Sequence, residues 1–280
     1  MIPSLSPVTA GGGLSLSDQV ALCARHGFAG LEIGIGSARD LGLDQARALF
    51  ANAGVLPVVF GLPVEWRKDE DQFRAGLAQL PALAQFAADL GCTRCTTYVL
   101  PDGGGPVKEY AETSTRRFAE IAQILGEQGI GFGLEFLGPQ QFRRDPDNVW
   151  FYDIAGGLEV ADAVNARANT QNVGLLVDCW HWYASGGTLM DLASIPLEQI
   201  VQVHINDAPA GVALPDLVDN VRELPGATGE IDVRGFLSTL GALGYDGPVA
   251  VETFSDALKA MAPDDAAELA ARATLSVMPG

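Results

Sequence analysis

The sequence predicts an α/β fold, a (β/α)8 TIM barrel, and three observations predict it. Eight short apolar runs alternate with longer helical patterns along the whole chain. Most runs are rich in Val, Ile or Leu without polar alternation, the pattern of parallel strands buried on both faces. The length of 280 residues lies near the roughly 250 residues typical of this barrel.

The elements follow in chain order. The first run, 4–9, precedes a helix predicted over 19–26, with Ser17 or Asp18 as its cap and Gly27 at its end. The second run, 30–35, leads to a helix over 43–52 that stops at Gly54. The third, 55–60, leads to a long helix over 72–90, stopped by Gly91. The fourth, 93–100, precedes a helix over 107–128, stopped by Gly129. The fifth, 131–136, is followed by a helix over 158–168, and the sixth, 173–177, by a weak helix over 188–192. The seventh, 200–205, leads to a helix over 233–243, capped by Asp232 and ended by Gly244. The eighth, 248–253, precedes a closing helix over 266–275, with Asp264 or Asp265 as cap.

An open doubly wound sheet is the competing architecture. It calls for a glycine-rich phosphate turn after the first strand. Gly11, Gly12 and Gly13 stand there, but GGGLSLSD lacks the GxGxxG spacing and no suitably placed acidic residue follows. These glycines read as a loop. No low-complexity linker or fixed-period repeat divides the chain, so residues 1–280 are expected to form one domain.

Hydrophobic residues make up 48% and charged residues 19%, enough apolar side chain for a sizeable core, which excludes intrinsic disorder. The formal net charge of −18 repels a phosphate backbone and argues against nucleic acid. No run of about 18 apolar residues marks a membrane span. The N-terminus, MIPSLSPVTAGGG, has no long apolar run and no Lys or Arg before Arg25, so no secretory signal is expected and the expected location is cytoplasmic. Cys92 and Cys95 have the CxxC spacing, but Cys23 and Cys179 supply no second pair for a structural zinc. CTRCTTYVL also reads as a strand with Cys92 and Cys95 on opposite sides, so free, buried or half-buried thiols are expected.

The residues able to do chemistry gather at strand ends. Glu135 ends strand five in GFGLEFLGP, Asp178 ends strand six in VGLLVDCWHWY, His204 lies in strand seven in IVQVHINDAP, and Glu252 ends strand eight in GPVAVETF. C-terminal strand ends meet at one mouth, where active sites of such barrels are built. Each residue alone has a plainer reading: a carboxylate as salt-bridge partner or helix cap, a histidine as a hydrogen-bonded core residue. Four in register on consecutive strands are harder to dismiss, because an unpaired buried carboxylate is costly. Three carboxylates and one imidazole make a hard, mainly oxygen donor set. It suits one divalent metal ion, Mn²⁺ or Mg²⁺, with Co²⁺ or Zn²⁺ also compatible.

The wording of GFAGLEI, GLEFLGP, VDCWHW, VHINDAP and LPGATGEID with GYDGPVAVE resembles the sugar phosphate isomerase/epimerase family. That family has the xylose isomerase-like barrel and includes inosose isomerases and dehydratases and ketose 3-epimerases. The resemblance covers about residues 4 to 255. It implies that Glu135, Asp178, His204 and Glu252 are metal ligands, and that Glu135 and Glu252 carry protons on opposite sides of a bound sugar. It also implies that His181, three residues after Asp178, lies over the substrate beside the metal, bonding an oxygen or moving a proton. The competing reading packs His181 among Trp180, Trp182 and Tyr183. Asp207, three after His204, resembles the family's HxxD and reads as a substrate-hydroxyl or ligand-supporting residue, or else as a helix cap. Arg222 in NVRELPG reads as a binder of an anionic or enolate oxygen, or as a surface arginine. Ketose epimerases often carry an arginine shortly after the strand-seven histidine, and NDAPAGVALP has none.

Glu32 and Tyr98 are further candidates for the pocket lining, with a buried ion pair as the alternative for Glu32. Arg143 and Arg144 follow Glu135 closely enough to reach the mouth. Trp66, Trp150 and Phe254 read either as apolar pocket wall or as packing. The family is related to endonuclease IV, but three histidines, one of them His26 at the end of the first helix, are too few for a three-metal site. The net charge of −18 is also wrong for DNA.

The expected activity is a divalent-metal-dependent isomerase or epimerase of a keto-sugar or keto-polyol, working through a cis-enediolate. A metal-dependent lyase or dehydratase of a 3-keto-sugar, 3-keto-glycoside or inosose is the first alternative, and a non-catalytic sugar-binding barrel the second. NDAPAGVALPD after strand seven contains no helix-opening phosphate loop, so an unphosphorylated substrate is expected. The expected partner is a small-molecule carbohydrate, with neither nucleic acid nor membrane, and a homo-oligomer is compatible.

Overall fold

The computed structural model describes residues 1–143 and 145–279. Eight parallel strands close into a barrel in chain order. They are β1 (Ile2–Leu5), β2 (Gly30–Ile33), β3 (Leu56–Gly61), β4 (Arg94–Val99), β5 (Gly131–Phe136), β6 (Val173–Asp178), β7 (Ile200–Ile205) and β8 (Pro248–Val251). Each predicted run carries one strand. The first run begins earlier and ends at Leu5, because the chain turns at Ser6, whose carbonyl accepts from Thr9 N at 3.0 Å. Every residue of β6 and β7 is buried, including the polar Gln202 and His204 that alternate along β7 and face the barrel interior rather than solvent.

The helices are α1 (Leu16–His26), α2 (Ile35–Leu41), α3 (Leu43–Ala53), α4 (Glu70–Leu90), α5 (Val107–Gly126), α6 (Ile154–Ala168), α7 (Cys179–Ala184), α8 (Leu189–Ala193), α9 (Val233–Ala242), α10 (Asp256–Lys259) and α11 (Pro263–Val277). Two caps differ from expectation. Ser15, not Ser17 or Asp18, caps α1 by accepting from Asp18 N. Ala262, not Asp264 or Asp265, precedes α11, whose first residue is Pro263, where a missing N–H costs nothing. The short helices α2, α7 and α10 went unpredicted, since four to seven residues carry too little periodicity to read.

Packing ties the helical ring to the strands that carry the site. Phe118 on α5 is fully buried and meets Trp66 edge-on at 4.5 Å and Phe132 of β5 at 5.8 Å between ring centroids. Such burial is worth about 2–3 kcal/mol. The four cysteines are free and buried, as expected. Among the described residues no helix is long and apolar enough to cross a membrane.

Strand register then decides which side chains meet. Asp178 is paired with His204, Glu135 with Leu176 two residues before Asp178, and His204 with Ala250 two residues before Glu252. Glu252 N donates to Ile205 O at 3.1 Å, so the ladder runs one residue past β8. Side chains alternate with a period of two, so all four turn to the same face at one end of the barrel. A one-residue slip would turn any of them away.

Candidate metal centre

Glu135, Asp178, His204 and Glu252 each offer a donor atom, and these atoms all lie within 4.8 Å of one another. Asp178 is 0%, His204 4% and Glu135 9% exposed. Two supports aim the histidine. Glu32 Oε1 stands 2.7 Å from His204 Nε2, and Gln202 Nε2 donates to the same oxygen at 2.7 Å. Nδ1 is thereby left facing Glu252 Oε2 at 3.4 Å and Glu135 Oε1 at 3.8 Å. Asp178 is the N-cap of α7: its Oδ1 accepts from Trp180 N at 2.8 Å and from Asn206 Nδ2 at 3.0 Å. Its Oδ2 accepts from Arg222 Nη1 at 2.7 Å. Asn206 Nδ2 also donates to Glu252 O at 3.1 Å, joining the ends of β6, β7 and β8.

The charges in this space do not balance locally. Burial, and then the neighbouring Glu252, push the Glu135 carboxyl well above the usual range. Burial would raise Glu252 too, but His204 and Arg222 hold it down at about 2. Burial opposes charge on His204, yet Glu32 and Glu252 outweigh it and hold the imidazole well above its ordinary value. Glu135 Oε1 and His204 Nδ1 are buried without a hydrogen-bond partner among the described residues. A buried polar atom left so costs about 1–3 kcal/mol. Once their protons are displaced, both atoms would offer lone pairs beside two further carboxylates, and a divalent cation would satisfy them together. The residues fit a hard metal ion.

Above the cluster lies a cavity of about 330 Å³, lined by Tyr98, Glu135, His181, Asp219, Arg222, Glu252 and Phe254 among others. α7 returns His181 to this mouth, with Nε2 at 3.7 Å from Glu135 Oε1 and 3.4 Å from Arg222 Nη2. Burial holds its imidazole down at about 3 against the pull of Asp178. Its Nδ1 accepts from Gly138 N at 3.4 Å. Position 138 needs glycine, because a Cβ there would lie 2.1 Å from His181 O. Arg222 is buried, and its Nη1 donates to Asp178 Oδ2 at 2.7 Å and to Glu252 Oε2 at 3.1 Å. Burial opposes its charge, but Asp178, Glu252 and Asp219 raise its affinity for the proton.

The structure brings Glu135, Asp178, His181, His204, Arg222, Glu252, Tyr98 and Phe254 together and removes others. Asp207 is not on the cavity. It is fully buried, its Oδ1 accepting from Ala208 N and Ile231 N and its Oδ2 from Thr228 N and Gly229 N, at 2.8–3.0 Å. With every strong acceptor site used by backbone, it closes the β7–α9 connection and reads no substrate. Glu32 likewise orients His204 rather than lining the cavity. Arg222 is no surface arginine, and its first partners are carboxylates. Arg143 pins the loop after β5, donating to Gly138 O at 2.9 Å and Ala184 O at 3.3 Å. Arg144 lies outside the described residues. Trp66 bonds Thr97 Oγ1 at 3.0 Å, and Trp150 packs on Tyr110 and Phe151.

Sequence reasoning missed Gln202 and Asn206, although a signal was there. Gln202, His204 and Asn206 are polar at every second position of an otherwise apolar strand, so they share a face. Leu100 and Leu137 follow directly on β4 and β5, whereas Asp219, Asn220 and Phe142 carried no local signal and reach the cavity through loop folding.

The xylose isomerase-like TIM barrel family matches residues 20–277. An inosose isomerase from Halalkalibacterium halodurans is 24% identical over 86% of this chain and 81% of its own. A 3-dehydroshikimate dehydratase from Pseudomonas aeruginosa is 35% identical over 50% of this chain, which spans 20% of that protein. A solved xylose isomerase domain protein from Alicyclobacillus acidocaldarius is similar with a TM-score of 0.87 and 29% identity, over 99% of this chain and 98% of that one.

Proposed function

The chain belongs to the xylose isomerase-like TIM barrel family, and from that premise we propose that it is a divalent-metal-dependent isomerase or epimerase of an unphosphorylated keto-sugar or keto-polyol. The observation that carries this reading is the convergence of Glu135, Asp178, His204 and Glu252 beneath the cavity, with two buried donor atoms that have no hydrogen-bond partner among the described residues. These four residues would hold the ion, and the hard donor set favours Mn²⁺ or Mg²⁺. When bound, the ion supplies Lewis acidity toward a substrate carbonyl oxygen.

The chain's own groups then divide the work. Glu135 reaches the cavity from β5 and Glu252 from the end of β8, so a carbon seated between them meets a carboxyl group on either side. One takes a proton from the carbon beside the carbonyl and the other returns it. His181, neutral by burial, presents Nε2 to a substrate oxygen. Arg222 holds Asp178 and Glu252 in place. Return of the proton to the opposite face gives epimerisation, and return to the neighbouring carbon gives isomerisation. Residues 1–280 are read as one cytoplasmic domain built around this site.

A second reading, a dehydratase or lyase, is favoured by the similarity of half the chain to a 3-dehydroshikimate dehydratase. It starts from the same proton abstraction and ends with loss of an oxygen substituent from the adjacent carbon. Incubating metal-loaded protein with ketoses, inososes and 3-keto-glycosides in D₂O, followed by NMR, separates the two. Deuterium uptake without loss of water or aglycone supports the isomerase; release of either supports the lyase. No exchange and no turnover across the panel would overturn both and leave a sugar-binding barrel.

A further inference from the structure

We propose that Asp219 determines substrate specificity: one carboxylate oxygen fixes Arg222 and the other accepts a hydroxyl of the substrate. The inference rests on the reading of the cavity as a carbohydrate site.

Asp219 lies on the long connection between β7 and α9, outside the donor cluster. Its carbonyl accepts from Arg222 Nε at 2.9 Å and its Oδ1 from Arg222 Nη2 at 3.0 Å. Gripped along one edge, the guanidinium is left to aim Nη1 at Asp178 and Glu252 on the other. The segment is itself anchored, since Asp219 N donates to Gln141 Oε1 at 3.3 Å, tying it to the loop after β5. Asp219 lines the cavity, its side chain 15% exposed. Among the described residues no donor is bonded to Oδ2. A carboxylate held at the wall of a sugar-sized space, with one oxygen left without a protein donor among the described residues, rewards a hydroxyl donor and repels an anionic substituent. The role that the sequence suggested for Asp207 thus falls to a carboxylate twelve residues further on, which sequence spacing alone does not single out.

The test compares Mn²⁺-loaded wild type, D219N and D219A. An inosose and fructose, each with its monodeoxy analogues, are titrated calorimetrically, and Mn²⁺ affinity and thermal unfolding are measured alongside. D219N keeps an oxygen for Arg222, because guanidinium offers only donors, and turns an NH₂ toward the cavity. The expected result is that wild type prefers the parent over one deoxy analogue by about tenfold or more. D219N loses that preference while its Mn²⁺ affinity and unfolding temperature stay unchanged. D219A loses the preference and also binds the parent more weakly, because Arg222 is freed. Discrimination by D219N equal to wild type overturns the proposal, and so does loss of Mn²⁺ affinity in both variants, which would mark a structural role. If wild type binds neither parent, the carbohydrate reading fails and this proposal fails with it.

Discussion

Glu32 Oε1 lies 2.7 Å from His204 Nε2, and this contact across the barrel turns the other ring nitrogen toward Glu135 and Glu252. A carboxylate behind a ligand histidine fixes both ring orientation and tautomer. Glu32→Leu removes the acceptor while keeping similar volume. The expected outcome is an affinity for Mn²⁺ lower by about 10–100-fold, with the four donor residues intact. Unchanged affinity would mean that barrel packing alone orients the ring.

His181 sits on the cavity but outside the donor cluster. His181→Ala is expected to keep the metal and lose about 10²–10⁴ in turnover. Its imidazole is held at about 3, so it is neutral above that pH and gains its charge only below it. A rate limb between about pH 5 and 8 therefore belongs to other groups and should persist in His181→Asn. Normal turnover by His181→Ala would assign the residue to packing with its aromatic neighbours.

Asp207 should matter for stability. Its carboxylate accepts from four backbone N–H groups in a buried site. Asp207→Ala is expected to cost about 3 kcal/mol or more in urea unfolding, since donors left unpaired in a buried site cost ~1–3 kcal/mol each. A stable variant with a raised KM would instead restore the substrate role that the HxxD spacing suggested.

Strand-borne features were legible, whereas of the loop-borne ones Arg222 was singled out and Asp219 was not. The eight strands and the four donor residues follow from apolar runs ending in a polar side chain, because a closed parallel barrel sends every strand end to one mouth. The strand period of two does the rest, and it held even for Glu252, one residue beyond β8. Asp207 misled because a carboxylate three residues from a candidate donor histidine looks the same whether it meets substrate or backbone; only the return of residues 228–231 decides. Asp219 and Gln141 meet through loops whose course no local pattern encodes.

On the proposed function, the cavity is expected to select against a phosphate. Arg222 is the only Lys or Arg among the described residues that line it, and three carboxylates already engage that guanidinium. Matched sugars and sugar phosphates should differ in kcat/KM in favour of the uncharged member. A preference of about tenfold for the phosphorylated one, ~1.4 kcal/mol of transition-state stabilisation, would reveal an additional anion site.

The central claim is that Glu135, Asp178, His204 and Glu252 hold a divalent ion. Elemental analysis of wild type, Glu135→Gln and His204→Ala, each loaded with Mn²⁺ and dialysed in parallel, tests it most directly. The expected result is one ion per wild-type chain and sharply lower occupancy in both variants, with unfolding temperatures showing that each is folded. Full occupancy in both folded variants would contradict the four-residue centre.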